Sequence, residues 1–350
     1  MKSILVVLLA LGIQLAVGQD KPFAFQNTTI KPGERKSFSV TIKAPNGDTT
    51  FIPITVLHGK SKGPVLGLIA GIHGYEYPPI MALQELPNKI DPEKLRGTII
   101  MVRIANVNAF FKRSVFYNPA DGKNLNRVFP GNKAGTITEC IAHTITTEVI
   151  SRCDYLVDIH AGDASEDLQP YVGFYTCGKQ FSTARKMADA LGFPWVIGSD
   201  NVPTPGNTKY CSAEAVSRGI PTVAIEYGKL GHVTSEEAGF ISARLMNMMR
   251  TMEWYDGVPQ KYSPPVEIKA RTYIEAEHTG IFYPNFKSGA LIRKGTLLGT
   301  ITDPFNNTIQ EILSPIDGFI IYMTVTPPIT KGETIFSLGS YPNSSIQREN

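Results

Sequence analysis

Residues 60 to 249 alternate short apolar runs with helical patterns, and this alternation restricts the chain to few folds. Short apolar runs that contain almost no charges are typical of strands buried on both faces. Strand–helix–strand units of this kind predict an α/β fold with a mixed, mainly parallel sheet flanked by helices. The predicted strands are Val65–Ala70, Gly97–Ala105, Tyr155–Ile159 and Thr222–Ile225.

Four helices are predicted between and after these strands. The first opens at Pro78-Pro79 and ends before Pro87, because proline fits the first helical turn but not the interior. The last begins at the capping box Thr234-Ser235-Glu236-Glu237 and has an apolar stripe on one face. The other two cover about Thr138 to Arg152 and Phe181 to Leu191.

The pattern changes after about Asp256, where Pro259, Pro264 and Pro265 indicate a linker. Short alternating strands with Gly and Pro turns then replace the helices, and they contain a weak repeat with a period of about 37 residues. We therefore predict a main domain over residues 19–258, with an N-terminal β hairpin at 19–60. An all-β barrel-sandwich domain is predicted over residues 266–340.

The first 18 residues have the pattern of a secretory signal peptide. Lys2 precedes an apolar run from Ile4 to Ile13, and Leu15-Ala16-Val17-Gly18 then gives the segment a small-residue end. The run is too short to cross a bilayer, and no later stretch is long and apolar enough to do so. The sequence predicts an exported protein, periplasmic or extracellular, whose mature chain has no membrane span. A retained membrane anchor is the alternative.

Charge and cysteine content exclude some further classes. The 34 Lys+Arg and 31 Asp+Glu leave a net charge of +3, without the clustered basic excess of nucleic-acid-binding proteins, so no nucleic-acid partner is predicted. The four cysteines contain no C-x-x-C motif; they form two disulfides in one of three pairings, or remain free thiols. They are Cys140, Cys153, Cys177 and Cys211. The sequence leaves the oligomeric state open.

Potential metal ligands follow two of the predicted strands. His73 and Glu76 come just after Val65–Ala70, and His160 ends the run that begins at Tyr155. Because the carboxyl ends of parallel strands share one edge of the sheet, we expect these three side chains to meet there. Imidazole and carboxylate are zinc ligands, and three protein ligands leave a fourth position for water. Two histidines at strand ends with no metal are the alternative.

Two carboxylates lie at the same predicted edge. Glu226 ends the apolar run Thr222–Ile225, where a carboxylate is costly to bury unless it is paired or placed at a cleft. It is therefore the candidate general base for a metal-activated water, with a sheet-edge ion pair as the alternative. Asp158 lies two residues before His160, on the same strand face, and is predicted to orient that ligand. Capping of a neighbouring helix is the alternative for Asp158.

The polar loop Asp121–Gly131 is the candidate substrate-binding segment. The planar guanidinium of Arg127 suits a substrate carboxylate, and Asn126 can add a neutral hydrogen bond. The predicted partner is therefore a small-molecule substrate that bears a carboxylate. A solvated surface loop is the alternative.

Taken in chain order across Ile69–Gly228, the motifs described above resemble those of the zinc carboxypeptidase-type fold. Within that fold they resemble the succinylglutamate desuccinylase/aspartoacylase family. The phrase Asn124-Leu125-Asn126-Arg127 with Phe129-Pro130-Gly131 is especially similar to that family. The resemblance implies one Zn²⁺ per chain as the cofactor. It further implies roles for six residues: His73, Glu76 and His160 as zinc ligands, Glu226 as the catalytic glutamate, and Asn126 and Arg127 as holders of a substrate carboxylate.

The chain departs from the family pattern at one position. Many members carry an arginine shortly upstream of the Asp-Gly, near the scissile carbonyl. This chain has Phe116 and Tyr117 there, and Arg113 is the nearest cation and a further candidate for substrate binding.

The tail, from about Glu267 to Gly339, resembles the β domain appended in this family and, more distantly, lipoyl and biotinyl carrier domains. Those carriers modify a lysine in the hairpin between the half-repeats. The corresponding stretch, Asp303 to Gln310, contains no lysine. We therefore expect a lid or a pocket wall rather than a swinging carrier.

These observations predict an exported zinc-dependent amidohydrolase with residues 19–258 as its catalytic domain. It would cleave the amide of an N-acyl amino acid, or of a related small carboxylate-bearing amide, with metal-activated water. The sequence has no G-x-S-x-G, P-loop or G-x-G-x-x-G motif, which disfavours serine hydrolases and nucleotide-dependent enzymes. The alternatives are a secreted zinc carboxypeptidase acting on peptides or cell-wall fragments, and a non-catalytic binding protein that retains the fold.

Overall fold

A computed structural model describes residues 21–340, so the predicted signal peptide lies outside the described residues. Within this range, no helix is both long enough and apolar enough to cross a membrane. The strands, in chain order, are β1 Phe23–Phe25, β2 Thr28–Ile30, β3 Glu34–Lys43, β4 Thr49–His58, β5 Ser61–Ala70, β6 Arg96–Val102, β7 Tyr155–His160, β8 Glu166–Leu168, β9 Tyr171–Tyr175, β10 Trp195–Ser199, β11 Thr222–Glu226, β12 Val266–Ile268, β13 Arg271–Glu275, β14 Gly280–Pro284, β15 Leu291–Ile292, β16 Leu297–Thr302, β17 Thr308–Leu313, β18 Gly318–Thr324, β19 Pro328–Ile329 and β20 Thr334–Gly339.

The helices of the described residues all belong to the first three quarters of the chain. Short 3₁₀ helices cover Pro92–Lys94, Leu125–Arg127 and Ile150–Arg152. The α-helices are α1 Tyr77–Lys89, α2 Val107–Lys112, α3 Ile137–Glu148, α4 Phe181–Leu191, α5 Cys211–Ser217 and α6 Ser235–Thr251.

The largest sheet has nine strands in the order β12-β10-β9-β11-β7-β5-β6-β4-β3. Five of its eight neighbouring pairs are parallel, so the predicted mixed, mainly parallel sheet is confirmed. Hydrophobic cores cover both faces, because successive side chains of a strand point to opposite sides. In β6, Ile99 and Met101 pack in the core that contains α1, α4 and α6, while Ile100 and Val102 pack in the core that contains α3 and α5.

The first helix differs from its prediction at its end. It is predicted to end before Pro87, but α1 continues through Pro87 to Lys89. Pro87 lies two residues from the C-terminal end, so its missing N–H removes one hydrogen bond and leaves the rest of the helix intact. Leu86 and Pro87 are both buried, and this packing stabilises the last turn.

The tail is built from antiparallel strands, as predicted for an all-β unit. One sheet has the order β13-β20-β18-β15, and the other has the order β17-β16-β14-β19. An apolar core that includes Phe282, Leu298, Ile320 and Phe336 is formed from strands of both sheets. At the far edge of the main sheet, β3 and β4 form the ten-residue antiparallel ladder of a hairpin.

The main sheet and the tail exchange short strands. Val266–Ile268, the first residues of the predicted β domain, form β12, which pairs in parallel with β10 of the main sheet. Conversely, β8 of the main domain, which closely follows the carboxyl end of β7, pairs with β18 of the tail. The tail is therefore fixed by backbone hydrogen bonds beside the carboxyl edge of the main sheet.

The four cysteines are free thiols in the structure. Cys140, Cys153 and Cys211 are buried, whereas Cys177 is partly exposed. Of the two alternatives that the sequence left open, the structure therefore has the free thiols.

Candidate metal centre

His73 and Glu76 lie on a tight turn between β5 and α1. Gly71 has a φ of +71°, which favours glycine, and a Cβ on Gly74 would overlap the backbone of Ala109. The turn ends at Glu76, which occupies the N-cap position of α1. The local sequence thus bends the chain so that His73 and Glu76 face the same point.

His160 and Glu226 end neighbouring parallel strands. In the pairing of β7 with β11, His160 lies directly opposite Glu226. β5 pairs with β7 on its other side, so the turn with His73 and Glu76 begins at the same edge. The predicted convergence of these side chains at the carboxyl edge of the sheet is thus what the structure shows.

The three predicted metal ligands form one buried group. Nδ1 of His73 lies 2.6 Å from Oε1 of Glu76, and Nδ1 of His160 lies 2.9 Å from Oε2 of the same carboxylate. One ligand atom from each residue lies within 4.8 Å of the other two. Two imidazole nitrogens and a carboxylate oxygen at this spacing can hold one metal ion.

The outer nitrogen of each histidine contacts an oxygen. Nε2 of His73 lies 3.2 Å from Oδ1 of Asn124, and Nε2 of His160 lies 3.1 Å from Oδ1 of Asp158. When Nε2 carries the proton, Nδ1 presents its lone pair to the metal site. The donor set therefore fits a divalent metal ion.

The contact of Asp158 with a metal-site histidine was predicted from the sequence, whereas that of Asn124 was not. The contact predicted for Asp158 is present, and its second oxygen accepts a hydrogen bond of 3.1 Å from the Ser212 N–H at the start of α5. The role of Asn124 was not predicted. Its only signal in the sequence is its place in the motif that includes Asn126 and Arg127.

The histidines keep Glu76 ionised. Burial alone would raise the pKa of Glu76, but the adjacent His160 and His73 outweigh burial and hold its pKa at about 2. Burial likewise would lower the pKa of His160, but Asp158 and Glu76 raise it well above its ordinary value. Glu76 is therefore a carboxylate at ordinary pH, which is the form that ligates metals.

Glu226 lines the cavity beside this group, and none of the described residues forms an ion pair with its carboxylate. Burial raises the pKa of Glu226 to about 7, with His160 opposing the shift. Within residues 21–340, no cation lies within 4.0 Å of its carboxylate, so the structure does not show the alternative sheet-edge ion pair. A carboxylate with a pKa near neutrality can both accept and return a proton.

The substrate-binding candidates of the Asp121–Gly131 loop line the same cavity, which has a volume of about 540 Å³. Oδ1 of Asn126 accepts a 2.9 Å hydrogen bond from the Cys211 N–H, which leaves its Nδ2 as a donor. The Arg127 guanidinium lies 4.8 Å from the centre of the Tyr210 ring. The cavity therefore contains an amide and a guanidinium near the metal group.

Arg113, the third substrate-binding candidate, lies away from the cavity lining. It ends α2 in a left-handed backbone conformation with a φ of +51°, and it is not among the described residues that line the cavity. Phe116 lines the wall instead, edge-on to the His73 ring at a centroid distance of 5.6 Å. This placement does not support the predicted contact between Arg113 and the substrate.

Besides Asn124, which contacts His73, sequence reasoning missed several residues that line the cavity. Arg271 reaches the cavity from β13 of the tail, and Tyr322 reaches it from β18. Glu166 and Tyr171 come from β8 and β9, which follow His160. None of these residues belongs to a recognisable motif. The contact between the tail and the sheet edge brings Arg271 and Tyr322 to the site, and the pairing of β9 with β11 places Tyr171 opposite Glu226.

A buried His–Glu–His group at the carboxyl edge of this sheet, beside a carboxylate in the same cavity, is the arrangement of a metal-dependent hydrolase. The model of the succinylglutamate desuccinylase/aspartoacylase catalytic domain matches residues 62–252, more than half of the chain. The chain belongs to the succinylglutamate desuccinylase/aspartoacylase family, and the family resemblance found in the sequence is confirmed.

Individual relatives agree with this assignment. The N-alpha-acetyl-L-2,4-diaminobutyric acid deacetylase of Halomonas elongata is 28% identical over 296 residues, which cover 81% of this chain and 84% of the relative. A succinylglutamate desuccinylase from Silicibacter sp. has a similar fold, with a TM-score of 0.79, 23% identity and coverage of 94% of this chain and 100% of its own. The product-bound ectoine utilization protein EutE (DoeB) of Ruegeria pomeroyi also has a TM-score of 0.79, with 22% identity and coverage of 92% and 99%.

Proposed function

We propose that this protein is a zinc-dependent deacylase that hydrolyses the amide bond of small N-acyl amino acids. The position of Glu226 supports this proposal most strongly. Its carboxylate ends β11 opposite His160, lies in the cavity with the metal group, and has no ion-pair partner within residues 21–340. The related Halomonas elongata protein is named as a deacetylase of an N-acetylated amino acid, which agrees with this substrate class.

Different residues of the chain have different roles in the proposed reaction. His73, Glu76 and His160 would hold Zn²⁺, which would supply Lewis acidity at the amide carbonyl and lower the pKa of water. Glu226 takes a proton from the attacking water and gives it to the departing nitrogen, so that the C–N bond breaks into a carboxylic acid and an amine. Nδ2 of Asn126 and the guanidinium of Arg127 bind the substrate carboxylate.

The cavity favours small substrates over peptides or cell-wall fragments. Arg271, Tyr273 and Tyr322 of the tail line it together with residues of the sheet edge. The pairing of β8 with β18 holds this wall in place. These contacts support a deacylase over the alternative of a carboxypeptidase acting on polymers.

Glu226→Gln tests the assignment of the general base. The amide keeps the size of the side chain but cannot accept the proton, so we expect kcat to fall by about 10²- to 10⁴-fold while one zinc ion per chain stays bound. Hydrolysis of N-acetyl amino acids and metal content by mass spectrometry are measured together. Glu236→Gln, an exposed change on α6, is the matched control and leaves both values unchanged.

Two results would contradict the proposal. If Glu226→Gln loses its metal together with its activity, Glu226 is not the base. If the zinc-loaded wild-type protein hydrolyses none of the N-acetyl derivatives of acidic, neutral and basic amino acids, the substrate class is wrong.

We also propose that the protein is exported, which the signal-peptide pattern of residues 1–18 supports. Expression of the full chain with a C-terminal tag, followed by fractionation and intact-mass measurement, tests it. An exported chain that begins near Gln19 is the expected result. A cytoplasmic chain that retains residues 1–18 would contradict it.

A further inference from the structure

Two arginines from distant parts of the main sheet place their guanidinium groups on one face of α1. Arg103 directly follows β6, and its Nη1 donates a 3.2 Å hydrogen bond to Oε1 of Gln84. Arg35 is the second residue of β3, and its Nη1 donates to Oδ1 of Asn88 at 3.1 Å and to the carbonyl oxygen of Pro87. Because Gln84 and Asn88 have the spacing i, i+4, they are neighbours on the helix surface, and so are the two cations.

Neither guanidinium is neutralised by an acid of the chain. Within residues 21–340, no carboxylate oxygen lies within 4.0 Å of the guanidinium of Arg35 or of Arg103. The carboxylates of Glu34 and Glu85, which neighbour these contacts in the sequence, form ion pairs with lysines instead. Two neighbouring cations repel each other, so an anion bound between them would stabilise both.

One hydrogen-bond donor of this pair is buried without an acceptor. Nε of Arg103 is shielded from solvent, and it makes no hydrogen bond within the part of the chain that the structure describes. Burial, and after it the charge of Arg35, lowers the pKa of Arg103. A buried N–H without an acceptor costs free energy, and such groups are rare in folded proteins. The donor therefore indicates a bound acceptor at this place.

The pair lies outside the catalytic cavity. Neither Arg35 nor Arg103 is among the described residues that line that cavity. Their contacts on α1 are in the second half of the helix, whereas the metal ligand Glu76 precedes its first turn. A ligand of these two arginines is therefore distinct from the substrate of the deacylase.

A phosphate group is the anion that fits the pair best. The planar N–H donors of a guanidinium match the oxygens of phosphate in a bidentate geometry. A phosphate dianion also balances both positive charges, whereas a carboxylate balances one. Since Arg103 is only partly exposed, the hydrogen bonds that it donates are less weakened by water than those of a fully exposed side chain.

We propose that Arg35 and Arg103 form a binding site for a phosphate group, either the free ion or the phosphate of a small metabolite. The phosphate oxygens accept hydrogen bonds from Nε of Arg103 and from Nη2 of Arg35, while Nη1 of each arginine stays bound to α1. The bound group links β3 and the end of β6 to α1. It therefore stabilises the folded protein by mass action.

Isothermal titration calorimetry of the zinc-loaded protein with inorganic phosphate tests this proposal. Chloride keeps the ionic strength constant, so that screening is equal throughout the titration. We expect saturable binding, and we expect Arg103→Gln to raise the phosphate dissociation constant by about tenfold or more, because a charge-assisted hydrogen bond is lost. Arg35→Gln should have an effect in the same direction. Arg293→Gln, an exposed change in the tail, is the matched control.

Other anions identify the chemistry of the site and the source of its occupant. Acetate has one charge and should bind about tenfold more weakly than phosphate, or weaker still. Glycerol 3-phosphate carries the same group as an ester. Tighter binding of the ester would assign the site to a metabolite, and tighter binding of inorganic phosphate would assign it to the free ion. Arg103→Lys keeps the charge but not the planar donors, so its phosphate affinity should lie between those of the wild type and Arg103→Gln.

Thermal unfolding keeps the test valid for variants of lower stability. Arg35→Gln also removes a hydrogen bond to the last turn of α1, so each variant is compared with itself in phosphate and in chloride. We expect phosphate to raise the Tm of the wild type and of Arg293→Gln. The Tm of Arg35→Gln and of Arg103→Gln should be the same in both salts.

Four results would overturn the proposal. The first is the absence of saturable phosphate binding by the wild type. The second is an unchanged phosphate affinity in both Arg35→Gln and Arg103→Gln. The third is a loss of phosphate binding in Arg127→Gln but in neither of these variants, which would assign the phosphate to the catalytic cavity. The fourth is an equal affinity for acetate and phosphate, which would contradict a site for two negative charges.

Discussion

At the scale of single residues, each histidine of the metal group is oriented by one neighbour, and the two neighbours differ in charge. Asn124 contacts Nε2 of His73 and is neutral, whereas Asp158 contacts Nε2 of His160 and is a carboxylate. A charged acceptor makes the imidazole more basic than a neutral one does. His160 is therefore expected to be the stronger donor to the metal.

Asp158→Asn should weaken metal binding, because it keeps the size of the side chain but removes its charge. We expect the dissociation constant for zinc to rise by about 10- to 100-fold. Competition with a chromogenic chelator measures it. Asp189→Asn, which changes an exposed partner of Arg185, is the matched control. Unchanged zinc affinity in Asp158→Asn would show that Asp158 serves only the start of α5 through Ser212.

At the scale of elements, α6 supports the helix that carries the metal-site turn. α1 begins directly after Glu76, and Ser242 of α6 hydrogen-bonds to the Ala82 carbonyl oxygen of α1. The start of α6 is a capping box in which Thr234 Oγ1 accepts from the Glu237 N–H at 3.1 Å and Glu237 accepts from the Thr234 N–H at 2.7 Å. This cap was recognisable in the sequence and is confirmed.

Thr234→Ala should destabilise the fold without changing the chemistry. Loss of the side-chain cap is expected to lower the free energy of unfolding by about 1 kcal/mol, while kcat stays unchanged because Thr234 does not line the cavity. Urea denaturation followed by circular dichroism measures the first value. Ser235→Ala, at the next and exposed position, is the control. An unchanged free energy of unfolding would mean that the first turn of α6 can fray without destabilising the protein.

Strand ends were the most predictable elements of the site. The apolar runs before His73, His160 and Glu226 locate three strands, and the common edge of parallel strands then brings their ends together. The end of α1 was less predictable, because burial of Pro87 outweighed the usual effect of proline near the end of a helix. Local pattern thus determined where the strands end, and tertiary packing determined where this helix ends.

At the scale of the whole molecule, the thiols report on how the chain is packed. Cys140, Cys153 and Cys211 are buried, and burial raises the pKa of each of these thiols. Buried thiols with raised pKa values react slowly, because the thiolate is the nucleophile. Cys177 is partly exposed.

We therefore expect one thiol to react rapidly with Ellman's reagent in the native protein and four to react after denaturation without reductant. The absorbance of the released thiolate measures both numbers. Cys177→Ser should abolish the rapid phase and serves as the control. Two or fewer thiols after denaturation would show that a disulfide has formed and that the free-thiol arrangement is wrong.

The tail shows the limit of what the sequence could predict. Its all-β character followed from alternating strands and Gly and Pro turns, but the contribution of Arg271 to the cavity did not. Arg271 lines the cavity of Glu226 because β12 joins the main sheet and because β8 pairs with β18. Such pairings between distant segments have no local signal, since any exposed strand edge of suitable length can form them.

The exchange of β12 and β8 makes the two parts of the molecule mutually dependent. A chain cut after residue 258 would lack β12, which pairs with β10. The unpaired backbone groups of β10 would then form an exposed strand edge, which promotes self-association. Swinging the tail outward would likewise require rupture of the ladder between β8 and β18. Because both pairings would have to break for the tail to move away, we expect substrates and products to exchange without a displacement of the whole tail.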